Sequence, residues 1–143
     1  MRQFEAKGDS MEILDDGQCF VCGADNPIGL KAHFNIDKEG RSAVGRVSIP
    51  SSFQGWQDMV HGGVIAALLD ETCIYACRSI GDHFVTAEIA VKYLRPVPTQ
   101  TEVVVTAEIC EEKKRILLVT AELKIDDQVH AKAQAKVFRV EQP

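Results

Sequence analysis

Hydrophobic and polar positions alternate along most of this chain, and the alternation breaks once. Leu30, Ala32, Phe34 and Ile36 alternate with Lys31, His33 and Asn35. That period of two predicts a strand with one buried face. Asp37-Lys38-Glu39-Gly40 reads as a hairpin turn. A second strand puts Ala43, Gly45, Val47 and Ile49 on one face and ends at Pro50-Ser51. Beyond the break the alternation returns in Ala87–Tyr93, Val103–Ile109, Leu117–Ile125 and Val129–Val137. The separators are Arg95-Pro96-Val97-Pro98, Glu111-Glu112-Lys113-Lys114 and Asp126-Asp127. Ala131, Ala133 and Ala135 on the last strand suit the close approach of a helix.

The break itself is His61 to Cys77. From Val64 to Cys77 the only charges are Asp70 and Glu71, and Ala and Leu are frequent. The run is too long for one strand and predicts a helix, opened by His61-Gly62-Gly63 and stopped by Gly81. It is apolar almost all round, which predicts enclosure by other elements. Two strands, one buried helix and four strands make an α+β fold, an antiparallel sheet of five to six strands wrapped around one long central helix. One sheet leaves a flank of that helix uncovered, so a dimer through the flank is expected. Residues 1–18 read as a polar lead-in with a short apolar patch at Met11–Leu14 and room for one helical turn, and residues 19–143 as a single domain.

Composition narrows the function classes. The 143 residues fit one domain. A formal net charge of −5 argues against a nucleic-acid footprint. No apolar run approaches the ~18 residues of a membrane span. The polar N-terminus lacks the apolar region of a secretory signal, and five cysteines without a repeating spacing suit reduced thiols. A cytoplasmic location is therefore expected. The sequence lacks the phosphate loops G-x-x-x-x-G-K-[ST] and G-x-G-x-x-G, and the G-x-S-x-G of serine hydrolases.

Two features of the helix ask for a reason. Gly62-Gly63 stands where glycine costs about 1 kcal/mol relative to alanine. A tight turn or close packing is one explanation. The other is an oxyanion site, with free N–H groups and the positive end of the helix dipole facing a carbonyl oxygen. The second feature is Asp70-Glu71 inside an apolar helix, where an ionised carboxylate is costly unless partnered. Asp70 reads as a base or nucleophile, and Glu71 as solvated or ion-paired. Gly63 and Asp70 lie on nearly one face but roughly 10 Å apart along the axis. An oxyanion donor and an attacking group must both come within about 3–3.5 Å of one reacting centre. One helix cannot place both, whereas a second antiparallel copy can, which gives two composite sites per dimer.

Cys19-x-x-Cys22 has the spacing of half a zinc site or of a redox pair. The sequence holds no second such pair, and the nearest histidine is His33, so a packing or loop-stabilising role is preferred and no metal is expected. Cys73, Cys77 and Cys110 read as small core residues. Tyr75 and Phe84 read as core or pocket wall, and His130 as an exposed residue on a polar strand face.

His61-Gly62-Gly63 with Asp70 seven positions later resembles the signature of hotdog-fold acyl-CoA thioesterases of the PaaI-like type. Cys19-Phe20-Val21-Cys22-Gly23, Asn26-Pro27 and Gly29-Leu30 are similar to an N-terminal feature of one branch of that superfamily, and Leu94-Arg95-Pro96-Val97-Pro98 to its strand end. The resemblance covers about residues 19–140. It implies a wrapped sheet, homodimers that often pair into tetramers, and hydrolysis of an acyl-CoA with no cofactor beyond the CoA of the substrate. It implies Asp70 as base or nucleophile, the Gly62 N–H on the thioester carbonyl with Gly63 beside it, and His61 as an orienting residue. A polar side chain six residues before the histidine is usual in the family. Gly55 stands there, and Gln54 takes the role only with a one-residue shift. Thr86 matches an assisting hydroxyl early in the strand after the helix. Trp56 reads as wall of the acyl or pantetheine channel or as a loop anchor. Lys92, Arg95, Lys113, Lys114 and Arg115 are candidates for the CoA phosphates, with a solvated charge run as the other reading of Lys113 to Arg115. A non-catalytic acyl-CoA sensor and a hydroxyacyl-thioester dehydratase on the same fold remain alternatives. No nucleic-acid or membrane partner is expected.

Overall fold

A computed structural model describes residues 12–141. Its elements are β1 (His33–Asp37), β2 (Ser42–Ser48), α1 (Gly62–Cys77), β3 (Phe84–Tyr93), β4 (Glu102–Lys113), β5 (Ile116–Ile125) and β6 (Gln128–Arg139), with a 3-10 turn at Ser51–Phe53. The strands form one antiparallel sheet in the order β1-β2-β4-β5-β6-β3. Because α1 connects β2 to β3, the chain crosses from near one edge of the sheet to the other edge. On the way α1 touches every strand. This is the hotdog arrangement, with the sheet curled round a single helix.

The inward residues are those the alternation marks. Ala43, Val47 and Ile49 are buried, as are Val103, Val105 and Ala107, then Leu117, Val119, Ala121 and Leu123, then Ala131, Ala133, Ala135 and Val137. They meet a stripe of α1 made of Ile65, Leu68, Leu69, Thr72, Cys73, Ala76 and Cys77. Those positions recur at intervals of three and four, the spacing of one helical face. Thr72 lies in this stripe without cost because its hydroxyl donates to the Leu68 carbonyl at 2.7 Å.

Several expectations shift. The first strand begins at His33 rather than Leu30, although Leu30 and Ala32 are buried. Their N–H groups go to the carbonyls of Phe20 and Val21 at 2.8 and 2.9 Å, so the 19–23 turn takes the place of a strand partner. The helix starts at Gly62 and ends at Cys77, ahead of Gly81. Only one of its faces is fully buried, while Val64, Ala67, Asp70, Glu71, Ile74 and Tyr75 stay half-buried. Strand β4 runs on to Lys113 beyond a register shift between Ile109 and Glu111. Cys110 stands at that bulge and is exposed, not a core residue, because the extra residue turns out of the alternation. Cys73 and Cys77 are buried. No helical turn forms at residues 12–18, and residues 1–11 of the expected lead-in lie outside the described residues. Among the described residues no helix is long and apolar enough to cross a membrane.

Candidate active site

His61 begins the site because it begins the helix. Its backbone is extended (φ −60°, ψ 136°), as an N-cap requires, and its ring Nδ1 accepts from the Gly63 N–H at 2.8 Å. An accepting Nδ1 carries no proton, so the neutral ring carries its proton on Nε2. The two glycines are therefore not equivalent. The Gly63 N–H belongs to the cap, whereas the Gly62 N–H has no acceptor among the described residues. It is the free donor at the positive end of α1. The Gly62 carbonyl accepts from the Tyr93 hydroxyl at 2.7 Å, which braces this first turn against the end of β3. Sequence reasoning missed Tyr93, which counts there only as one more position in an alternating strand.

Two turns further on, half-buried Asp70 meets Thr86. The hydroxyl of Thr86 donates to Asp70 Oδ1 at 2.5 Å. A register shift between Thr86 and Glu88 interrupts the β3–β6 ladder and aims Thr86 at the helix. Burial pushes the Asp70 carboxyl above its ordinary value of 3.8, the Thr86 hydrogen bond pulls it back down, and the adjacent Glu71 charge raises it again. The net direction is upward, so Asp70 holds a proton more readily than a solvated aspartate.

The remaining candidates scatter. Gln54 Oε1 accepts from the Asp58 N–H at 3.1 Å and so closes its own loop. Gly55 lies against His61, where a Cβ would come within 3.3 Å of the histidine Cα. Trp56 is 82% exposed, so its ring anchors nothing among the described residues. Lys92 is on the outer face of the sheet, lining a cavity of about 660 Å³ with Asn35, Thr106, Glu122 and Lys132. Arg95 and Arg115 are exposed in the connections that follow β3 and β4. Phe84 is buried, and half-buried Tyr75 stacks on Phe34 with ring centres 4.3 Å apart. His130 bonds the Pro96 carbonyl through Nδ1 at 2.8 Å. Glu71 is half-buried and has no ion pair among the described residues; instead Cys19 Sγ donates to its Oε2 at 2.7 Å, because the 19–23 turn docks over this side of α1.

Residues 57–132, which include His61, Gly62, Asp70 and Thr86, match the family profile of the thioesterase superfamily. The chain belongs to the thioesterase superfamily. This superfamily member is 24% identical over 139 residues to the rat acyl-coenzyme A thioesterase THEM4, a match covering 96% of the chain. The chain spans 60% of the length of that relative. Among solved structures it is similar to RHA08564, a thioesterase superfamily protein, with a TM-score of 0.80, 24% identity and coverage of 96% of this chain and 72% of that one. It is also similar to the E. coli PaaI protein of the phenylacetic acid degradation operon, with a TM-score of 0.67, 22% identity and coverage of 71% and 74%. At these identities the structural likeness speaks to the fold, which is that of the PaaI-like thioesterases.

Proposed function

We propose that this superfamily member hydrolyses an acyl-CoA thioester to a carboxylic acid and free CoA. The observation that carries the reading is Asp70, a carboxylate on an apolar helix face, held by Thr86 with its proton affinity raised by burial. As a base, Asp70 takes a proton from water, and the hydroxide attacks the thioester carbonyl. As a nucleophile, its oxygen attacks the carbonyl directly and water then cleaves the acyl-aspartyl anhydride. In both routes a tetrahedral oxyanion forms, which the Gly62 N–H stabilises. The intermediate collapses by breaking the C–S bond, and the CoA thiolate leaves and is protonated. His61 and Thr86 orient the site, and the chemistry needs no cofactor besides the CoA of the substrate.

Gly62 and Asp70 are eight residues apart, about 12 Å along the helix axis. One carbonyl therefore takes its oxyanion donor from one protomer and its carboxylate from an antiparallel partner. Support for that arrangement comes from the flank of Val64, Ala67 and Ile74 beside Asp70, which the chain's own sheet leaves half-buried.

The test is free-thiol release from phenylacetyl-, benzoyl-, short-chain and medium-chain acyl-CoAs, with Asp70→Asn beside the wild type. Turnover is expected for part of the panel, with a loss of about 10²–10⁴-fold in kcat for the variant. Tight binding of an ester without turnover would make the protein a sensor or carrier. An enoyl thioester product in place of free thiol would make it a dehydratase.

A further inference from the structure

The fold brings a third ligand to the Cys19-x-x-Cys22 pair. Cys19 and Cys22 share one tight turn, closed by the Gly23 N–H donating to the Cys19 carbonyl at 2.7 Å. Only glycine fits at position 23, because a Cβ would lie 2.4 Å from the Gly17 carbonyl oxygen and 2.5 Å from the Cys19 nitrogen. Val21, buried in the core, and the backbone bonds from Leu30 and Ala32 fix this turn to the domain. Both thiols then face α1. The two Sγ atoms and a carboxylate oxygen of Glu71 all lie within 4.8 Å of one another, and each of the three residues is half-buried.

We infer that Cys19, Cys22 and Glu71 form a binding site for a borderline-soft divalent cation, Zn²⁺ in the first instance. Thiolate sulfur at about 2.3 Å and carboxylate oxygen at about 2.0–2.2 Å are the distances of tetrahedral zinc, and they space ligand atoms about 3.5–3.8 Å apart. The cluster reaches that spacing by side-chain rotation, with the ion replacing the proton now shared between Cys19 and Glu71. Two thiol protons leave to solvent on binding, so the ion, two thiolates and one carboxylate carry a net charge of −1. Arg78, stacked over the Tyr75 ring at 4.7 Å and lining the same pocket, supplies the compensating charge nearby. The fourth position opens into a pocket of about 370 Å³ whose wall includes Asp15, Asp16 and Gln18, room for a water or a fourth side-chain ligand. A disulfide would use the two cysteines and leave the carboxylate without a part, whereas an ion uses all three groups. The ion would tie the N-terminal turn to the helix residue next to Asp70. The inference rests on this geometry alone and stands apart from the thioesterase reading.

The experiment is Co²⁺ and Zn²⁺ loading of the reduced full chain under anaerobic conditions, followed by dialysis. A single tightly held metal per chain is expected. The Co²⁺ form should show a thiolate-to-cobalt charge-transfer band and the intense visible bands of a tetrahedral centre. Cys19→Ser with Cys22→Ser should abolish both. Glu71→Gln should keep the charge-transfer band but weaken binding by about 100-fold or more, beyond what an outer-shell partner contributes. Zinc should also raise the thermal midpoint of the wild type and not of the double variant, which separates binding from misfolding. Metal lost on dialysis, a cobalt spectrum without the thiolate band, or binding unaltered in the double variant would overturn the inference.

Discussion

At the scale of single residues, the proposed mechanism makes the contact between Asp70 and Thr86 testable through pH. In the proposed hydrolysis Asp70 must be ionised as base or nucleophile, so kcat/KM is expected to fall as pH drops through the Asp70 pKa, which lies above 3.8. Thr86 holds that pKa down through its hydrogen bond. Thr86→Val therefore moves the acid limb of the pH–rate profile to higher pH. A limb that stays in place would remove Thr86 from control of Asp70. Stability runs the other way. The folded protein binds the Asp70 proton more tightly than the unfolded chain, so the contribution of Asp70 to stability falls as pH rises from 3.8 through the raised pKa. At neutral pH Asp70→Asn should thus raise the melting temperature while it lowers turnover. Below pH 3.8 that thermal gain should vanish, because both proteins are then neutral at this position. Calorimetry at the two pH values checks the sign. Asp70 was legible in the sequence because a carboxylate in an apolar helix is costly without a reason. Tyr93 was not, because its bond to Gly62 depends on where β3 ends in space.

At the scale of elements, the start of α1 permits a test of the oxyanion donor with little disturbance of the fold. Proline is well tolerated at the first position of a helix, and it requires an extended residue before it. His61 is extended, and a Cβ at position 62 makes ordinary contacts of 3.5 Å with the Tyr93 ring. Gly62→Pro deletes the free N–H and keeps the helix. The expected outcome is a loss of about 10²–10³-fold in kcat with an unchanged circular dichroism spectrum. Full activity in this variant would rule out the Gly62 N–H as oxyanion donor. On the opposite side of the helix, the alanines of β6 let α1 sit close to the sheet. Ala133→Leu puts three extra carbons into that contact and should destabilise by about 1–3 kcal/mol in denaturant titration. The strands were legible because a period of two is written directly in the residue order. Their bulges at Thr86–Glu88 and Ile109–Glu111 were not, because one extra residue looks the same as a continuing strand. The misreading of Cys110 follows from that.

At the scale of the whole molecule, the proposed composite site makes a prediction no single chain can meet. Asp70→Asn and Gly62→Pro protomers are each expected to be nearly inactive as homodimers. Mixed and allowed to exchange, half of the dimers pair one of each, and each mixed dimer holds one intact site. Activity should return to about a quarter of the wild-type level. Mixtures that stay inactive, although sedimentation or native mass spectrometry shows exchanged dimers, would mean that each site is built within one chain. The curled sheet is the ground for proposing a second copy. It covers the stripe from Ile65 to Cys77 and leaves the Asp70 side of the helix half-buried.

The residue order by itself determined the number and order of the elements, the inward face of each strand, and the pairing of a glycine helix start with an acidic helix centre. These are local properties, set by periods of two and 3.6 and by the cost of placing glycine or a charge in a helix. Only the tertiary structure decided the rest, because it depends on which segments come to lie side by side. It gave the Gly63 N–H to His61 and left that of Gly62 without an acceptor among the described residues. It set Thr86 against Asp70 and the 19–23 turn against Glu71, and it separated Gln54, Trp56, Lys92, Arg95 and Arg115 from those contacts. Residues 16 and 52 positions apart meet at the site and at the thiol cluster, and no period along the chain encodes contacts at such separations.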